Sequence, residues 1–216
     1  MICVFDYQRE FIEFSMSCQV LRFGRFTLKS GRESPYFFNA GLFNTGAHLT
    51  RLGGYYASAY LEAGIRADVL YGPAYKGIPL ACAAAMTLAG RTGGPVPFAF
   101  NRKEAKSHGE TGSIVGSPLA GRVLIVDDVI TAGTSVRESV EIIRAAGAEP
   151  CGVLILLDRR ERGTGERSAV QEVVDEFGIP VYAVVALDHV VAHLESAGSS
   201  AELAAIRDYQ SRYGVN

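Results

Sequence analysis

Residues 122–135 read RVLIVDDVITAGTS. The apolar run Val123 to Val126 predicts a buried strand, because a run without polar alternation needs cover on both faces. It ends on two adjacent carboxylates, Asp127 and Asp128. The loop that follows, Val129, Ile130, Thr131, Ala132, Gly133, Thr134 and Ser135, is rich in small and hydroxyl side chains, and Gly133 can adopt a positive φ there. Next comes SVRESVEIIRAAG, whose apolar residues fall at helical spacing. Strand, polar loop and helix in this order predict an open α/β sheet, in which ligands bind outside the carboxyl ends of the strands.

The side chains of this stretch suggest what the ligand is. Free amides at a helix N-terminus, the helix dipole and the Thr131, Thr134 and Ser135 hydroxyls together suit a phosphate dianion. Asp127 and Asp128 repel that phosphate but accept hydrogen bonds from sugar hydroxyls beside it. A diol next to a phosphate points to ribose 5-phosphate. The plainer alternative is a strand end followed by a capped helix, a common use of Ser and Thr. Neither G-x-x-x-x-G-K-[ST] nor G-x-G-x-x-G occurs in the chain, which excludes the nucleoside-triphosphate loop and the dinucleotide fingerprint.

Outward from this segment, ADVLY, VPFAF, RVLIV, GVLIL and PVYAVV alternate with helical patterns. That alternation predicts an α/β fold with a doubly wound, mostly parallel sheet covered on both faces, in a single domain spanning 1–216. Upstream, residues 7–20 predict an amphipathic helix, and FTL and YFFN predict a hairpin around KSGRESP. These hood elements, about 1–45, precede a helical face of Leu49, Leu52, Tyr56 and Tyr60 that ends near Gly64. Residues 199–213 predict a closing helix. Residues 101–121 carry no apolar periodicity and far exceed the usual connection of about six residues, so a flexible lid loop is expected.

Composition sets the outer bounds. The 216 residues are 48% hydrophobic and 20% charged, an ordinary globular mixture. Lysine and arginine number 21 against 23 acidic residues, so no bulk basic character points to nucleic acid. Cys3, Cys18, Cys82 and Cys151 are scattered without a C-x-x-C pair, which fits a reducing cytoplasm better than a zinc site or disulfide framework. No apolar run is long enough to span a membrane, and MICVFDYQRE lacks the basic-then-apolar order of an export signal.

The stretch Val123 to Ser135 resembles the phosphoribosyl-pyrophosphate motif of the type I phosphoribosyltransferases. KSGRESPYFFN, GPAYKGIP, FNRKEAKSHGE and LDRRERG extend that resemblance over nearly the whole chain, toward the orotate-using branch. The resemblance implies phosphoribosyl-pyrophosphate contacts from Lys29, Tyr75, Lys76, Arg102, Lys103, Lys106, His108 and Asp127 to Ser135. It places orotate against Phe37, Phe38, Thr131 and Arg159. The residue chemistry is compatible with this: Phe faces suit a flat ring and the Arg159 fork suits a carboxylate, although core packing and an exposed charge are the ordinary readings of those residues.

Cleavage of the anomeric bond to pyrophosphate builds positive charge on the ribose and negative charge on the leaving group, so catalysis is expected to be electrostatic. Lys106, His108, Asp127 and Asp128 are the expected catalytic residues. Mg²⁺, bound mainly through the substrate phosphates, is the expected cofactor, with no protein metal ligands assigned. The resemblance further implies a homodimer with the lid shared across its interface. Two rival readings remain, a purine-base phosphoribosyltransferase and a non-catalytic regulator that senses phosphoribosyl pyrophosphate.

Overall fold

The computed structural model describes residues 4–28, 31–106, 112–163 and 165–215, with only the backbone described at 104–106 and 112. The chain runs through α1 (Asp6–Ser17), β1 (Leu21–Thr27), β2 (Glu33–Phe38), α2 (Gly46–Glu62), β3 (Val69–Gly72), α3 (Gly77–Thr92), β4 (Phe98–Lys106) and β5 (Gly112–Gly116). It continues through β6 (Arg122–Val126), α4 (Thr134–Ala145), β7 (Glu149–Asp158), α5 (Ala169–Phe177), β8 (Val181–Ala186), α6 (Leu187–Ala197) and α7 (Ser200–Tyr213).

β1 and β2 form a separate antiparallel ribbon, while the remaining strands make one sheet in the order β5-β4-β3-β6-β7-β8. Every neighbouring pair in that sheet is parallel except β4 with β5. The doubly wound reading is borne out by the way β6 divides its side chains. Leu124 and Val126 enter a core with α2, α3 and α6, whereas Val123 and Ile125 enter a second core with Val136, Val140 and Ile143 of α4 and Val173 of α5. All four of these apolar side chains are fully buried. Burying a Val, Leu or Ile completely is worth about 1.5–3 kcal/mol, so this strand contributes heavily to both cores.

From β3 the chain first goes outward to β4 and then returns to the other side of β3 as β6. The strand order therefore reverses between β3 and β6, which opens a crevice at their carboxyl ends. The backbone is tightly packed there. A Cβ on Gly77, the first residue of α3, would lie 2.5 Å from Pro73 Cδ and 2.8 Å from the Val126 carbonyl oxygen.

Two segments differ from the sequence expectation. The N-terminal helix stops at Ser17, and the strand expected only at FTL begins at Leu21. The β1–β2 register shifts between Phe23 and Phe26, which hides the period-two signal upstream. The second correction concerns 101–121, expected as a loop. β4 continues to Lys106 and pairs back on β5, with Asn101 opposite Ile114 and Lys106 opposite Gly112. β3 accompanies β4 only from Phe98 to Phe100, so beyond that point the ribbon leaves the layered core and needs no apolar alternation.

α1 packs on α2, α6 and β8, and the β1–β2 ribbon is held by α1 and α7. Phe11 and Phe14 of α1 sit among the rings of Phe38, Phe43 and Tyr55. The hood elements are thereby fixed to the body on the side where β7 and β8 end.

Candidate active site

The loop after β6 wraps a cavity of about 240 Å³ lined by Asp127 and Val129 to Val136. Gly133, at φ +70°, turns the chain into α4, and no side chain caps that helix. Its first hydrogen bond runs from Arg137 N to the Gly133 carbonyl, so the amides of Thr134, Ser135 and Val136 lack an intrahelical acceptor. Thr131 and Thr134 are exposed beside them. This is a cradle of donors with the positive end of a helix dipole behind it, fitted to a phosphate.

The two carboxylates behave differently. Asp127 accepts hydrogen bonds from Asp128 N at 2.9 Å and Ser135 Oγ at 3.1 Å. Its main chain is held as well, because the buried Tyr56 hydroxyl donates to the Asp127 carbonyl at 2.7 Å. Burial, and then the neighbouring Asp128 carboxylate, push the Asp127 carboxyl up to about 6, against the pull of its hydrogen bonds and of Lys76. Asp128 accepts from Val129 N at 2.9 Å and pairs with Lys76 Nζ at 2.7 Å.

That ion pair joins the loop after β3 to the loop after β6 across the crevice. Lys76 and Tyr75 are exposed, and Lys103 of β4 lies 5.3 Å from the centre of the Tyr75 ring. Asn101 braces the same loop by accepting from Ala74 N at 2.8 Å. Arg102 and Lys103 thus arrive on the strand beside the β3 loop, so Tyr75, Lys76, Lys103 and Asp128 form one continuous surface. Lys29, His108 and the Lys106 side chain lie outside the described residues.

Phe37 and Phe38 occupy successive positions of β2 and so point to opposite faces of the ribbon. Phe38 packs toward Phe11 and the core, while Phe37 stacks on Phe26 beneath the Arg22 guanidinium. The structure therefore does not join the two rings into one wall. Arg159 follows directly on β7, two strands from β3, and its guanidinium lies 5.0 Å from the centre of the Tyr36 ring. Its Nη2 pairs with Glu161 at 2.9 Å.

Several residues that shape this region carried no site role in the sequence reading: Tyr36, Tyr56, Asn101 and Glu161. A Tyr in an apolar helix face or an Asn inside a basic run carries no local signal. Only the distant partner reveals the role, since Tyr56 meets a carbonyl 71 residues away.

Residues 42–198 match the model of the phosphoribosyl transferase domain family. The chain is 66% identical over 209 residues to an orotate phosphoribosyltransferase of Methylococcus capsulatus, covering 97% of this chain and 98% of that protein. The crystal structure of orotate phosphoribosyltransferase from Francisella tularensis superposes with a TM-score of 0.88 at 41% identity, covering 95% of this chain and all of that one. The Mycobacterium tuberculosis orotate phosphoribosyltransferase in complex with 5-phospho-α-D-ribosyl 1-diphosphate gives a TM-score of 0.62 at 25% identity, over 85% of this chain and 98% of that one. With the strand-reversal crevice, the phosphate cradle and these matches taken together, the chain belongs to the orotate phosphoribosyltransferases, a branch of the phosphoribosyl transferase domain family.

Proposed function

We propose that this chain transfers ribose 5-phosphate from 5-phosphoribosyl 1-pyrophosphate to orotate, giving orotidine 5′-monophosphate and pyrophosphate in pyrimidine biosynthesis. The observation that carries the reading is the 2.7 Å contact of Lys76 with Asp128, which brings a pyrophosphate-type cation and a diol-type acceptor together beside the phosphate cradle. In the reaction the bond from the anomeric carbon to pyrophosphate oxygen breaks with its electron pair leaving on that oxygen, and the base nitrogen forms a bond to that carbon as its proton passes to solvent.

In this reading Thr131 to Ser135 and the first amides of α4 bind the 5-phosphate, and Asp127 and Asp128 anchor the ribose hydroxyls. Lys29, Tyr75, Lys76, Arg102, Lys103, Lys106 and His108 meet the pyrophosphate, with Lys106 and His108 neutralising the charge that develops on it. Arg159 reads the orotate carboxylate, Phe37 and Thr131 border the ring, and Phe38, turned into the core, fixes the strand that carries Phe37. Closure of the basic β4–β5 ribbon over both substrates excludes water.

Mg²⁺ enters this scheme with the substrate, neutralising phosphate oxygens when bound. The donor set fits that role, since Asp127 and Asp128 already accept from protein donors and the crevice meets phosphate oxygens with Lys76 and the first amides of α4. We further propose a homodimer in the cytoplasm. An apolar stripe on α3, running Pro79, Cys82 and Met86, supports the dimer, with Met86 75% exposed. The cytoplasmic setting accords with Cys18, Cys82 and Cys151 being free thiols.

The test mixes the protein with phosphoribosyl pyrophosphate, Mg²⁺ and, separately, orotate, uracil, adenine, hypoxanthine or nicotinate, and follows pyrophosphate release. Release only with orotate is expected. Release with any of the other bases and none with orotate would overturn the assignment.

A further inference from the structure

Arg159 occupies an unusual place for a residue meant to meet a ligand, since its side chain is only 19% exposed and that of Glu161 only 12%. A guanidinium taken out of water needs its donors satisfied, or the burial is costly. Glu161 supplies the acceptor. Its Oε1 accepts from Arg159 Nε at 3.1 Å and from Nη2 at 2.9 Å, and it also accepts from the Tyr36 hydroxyl. Its Oε2 accepts from the Tyr209 hydroxyl at 3.1 Å. Tyr36 in turn accepts from Arg159 Nε at 3.2 Å. Both tyrosines are fully buried and meet edge to face, with ring centres 6.3 Å apart.

The arrangement divides the guanidinium into two edges. A guanidinium is a planar fork with five donors, able to meet one carboxylate along the Nε–Nη2 edge and another end-on along the Nη1–Nη2 edge. Glu161 takes the first edge, and Nη1 has no hydrogen-bond partner among the described residues. The network also spans three separate elements. Tyr36 belongs to the hood ribbon and Tyr209 to α7, while Glu161 follows β7, whose Leu156 N donates to the Asp128 carbonyl at 2.9 Å. Further main-chain bonds fasten the loop to the end of α7 and the residues beyond it, from Arg162 N to Tyr213 O at 2.8 Å and from Val215 N to Arg160 O at 3.0 Å.

We infer that Glu161 is a positioning residue for the base site: it holds Arg159 by one edge, with Tyr36 and Tyr209 as its own anchors, and so reserves the end-on edge of the fork for the carboxylate of the base. The inference rests on the reading of Arg159 given above. It makes α7, remote from the sugar phosphate in sequence, a buttress of base recognition. Removing the Glu161 charge leaves the guanidinium in place by packing but free to rotate, and misplacement by about 1 Å costs up to about a hundredfold in such sites.

The experiment is steady-state kinetics on the full chain with each substrate varied in turn, beside thermal unfolding of every variant. Glu161→Gln is expected to raise the KM for orotate about tenfold or more while leaving the KM for phosphoribosyl pyrophosphate within about twofold. Tyr209→Phe, which removes one anchor and little volume, should shift the same parameter in the same direction by a smaller factor. Glu161→Asp, which keeps the charge, should recover part of the loss. Arg159→Ala separates the two layers of the argument. If it raises the orotate KM while Glu161→Gln and Tyr209→Phe leave that parameter alone, Arg159 reads the base and the role given to Glu161 is wrong. If Arg159→Ala leaves the orotate KM unchanged, the reading of Arg159 fails and this inference with it. Equal shifts in both KM values, tracking a fall in melting temperature, would mark Glu161 as a structural ion pair only and overturn the inference.

Discussion

Asp127, in the proposed role of ribose anchor, serves binding at the expense of the fold. Burial first, and then Asp128, raise its carboxyl from 3.8 to about 6. A raised carboxyl pKa means that the folded state holds the proton more tightly than the unfolded chain does. The resulting stability is fully present below about pH 4 and is lost as pH rises through about 6. At pH 8 the ionised group therefore costs roughly 2–3 kcal/mol. Asp127→Asn should raise the melting temperature at pH 8, with the gain vanishing near pH 4, while turnover drops; calorimetry across that range checks the sign. Lys106→Ala tests a different residue role, and kcat should drop about a hundredfold or more if a preorganised charge is lost from the leaving-group site. An unchanged kcat would remove Lys106 from the chemistry. The residue types at 127, 128 and 131–135 were legible in the sequence because the whole motif is local. Glu161 was not, because LDRRERG looks like a solvated charge run until Tyr36, 125 residues away, and Tyr209, 48 residues away, bury it.

Among the elements, the strand–loop–helix units after β3 and β6 were legible because buried parallel strands announce themselves as unbroken apolar runs. The β4–β5 ribbon was not, since strands that leave the layered core lose the pattern by which strands are recognised. A tight junction between elements leads to a further prediction. A methyl group on Gly77 has no room between Pro73 and the Val126 carbonyl, so Gly77→Ala must push α3 away from the end of β6. Overpacking of this kind costs about 1–3 kcal/mol, measurable as a lower urea midpoint. The displacement also separates Lys76 from Asp128, so the KM for phosphoribosyl pyrophosphate should rise beyond what the stability loss explains. A variant with a lowered midpoint and an unaltered KM would show that the spacing of the two loops does not govern binding.

At the scale of the whole molecule, alternation of strands and helices predicted a doubly wound sheet, and the order β5-β4-β3-β6-β7-β8 fixes where it opens. That order could not be read along the chain, because it depends on which edge each crossover returns to. Association is the corresponding prediction at this scale. Met86→Glu places a charge in the apolar stripe of α3 and should shift sedimentation from dimer toward monomer; a protein already monomeric without the substitution would refute the dimer. The ion pair between Lys76 and Asp128 also bears on selectivity against the common anions of a cell. Inorganic phosphate can draw Lys76 away, but it brings no sugar diol to the buried Asp128 to take the lysine's place. A free sugar can engage Asp128 but gives the displaced lysine no anion. On the proposed assignment, only a molecule carrying hydroxyls and pyrophosphate at the right separation replaces both halves of the pair at once, and the crevice then tells its substrate from that substrate's fragments before any chemistry begins.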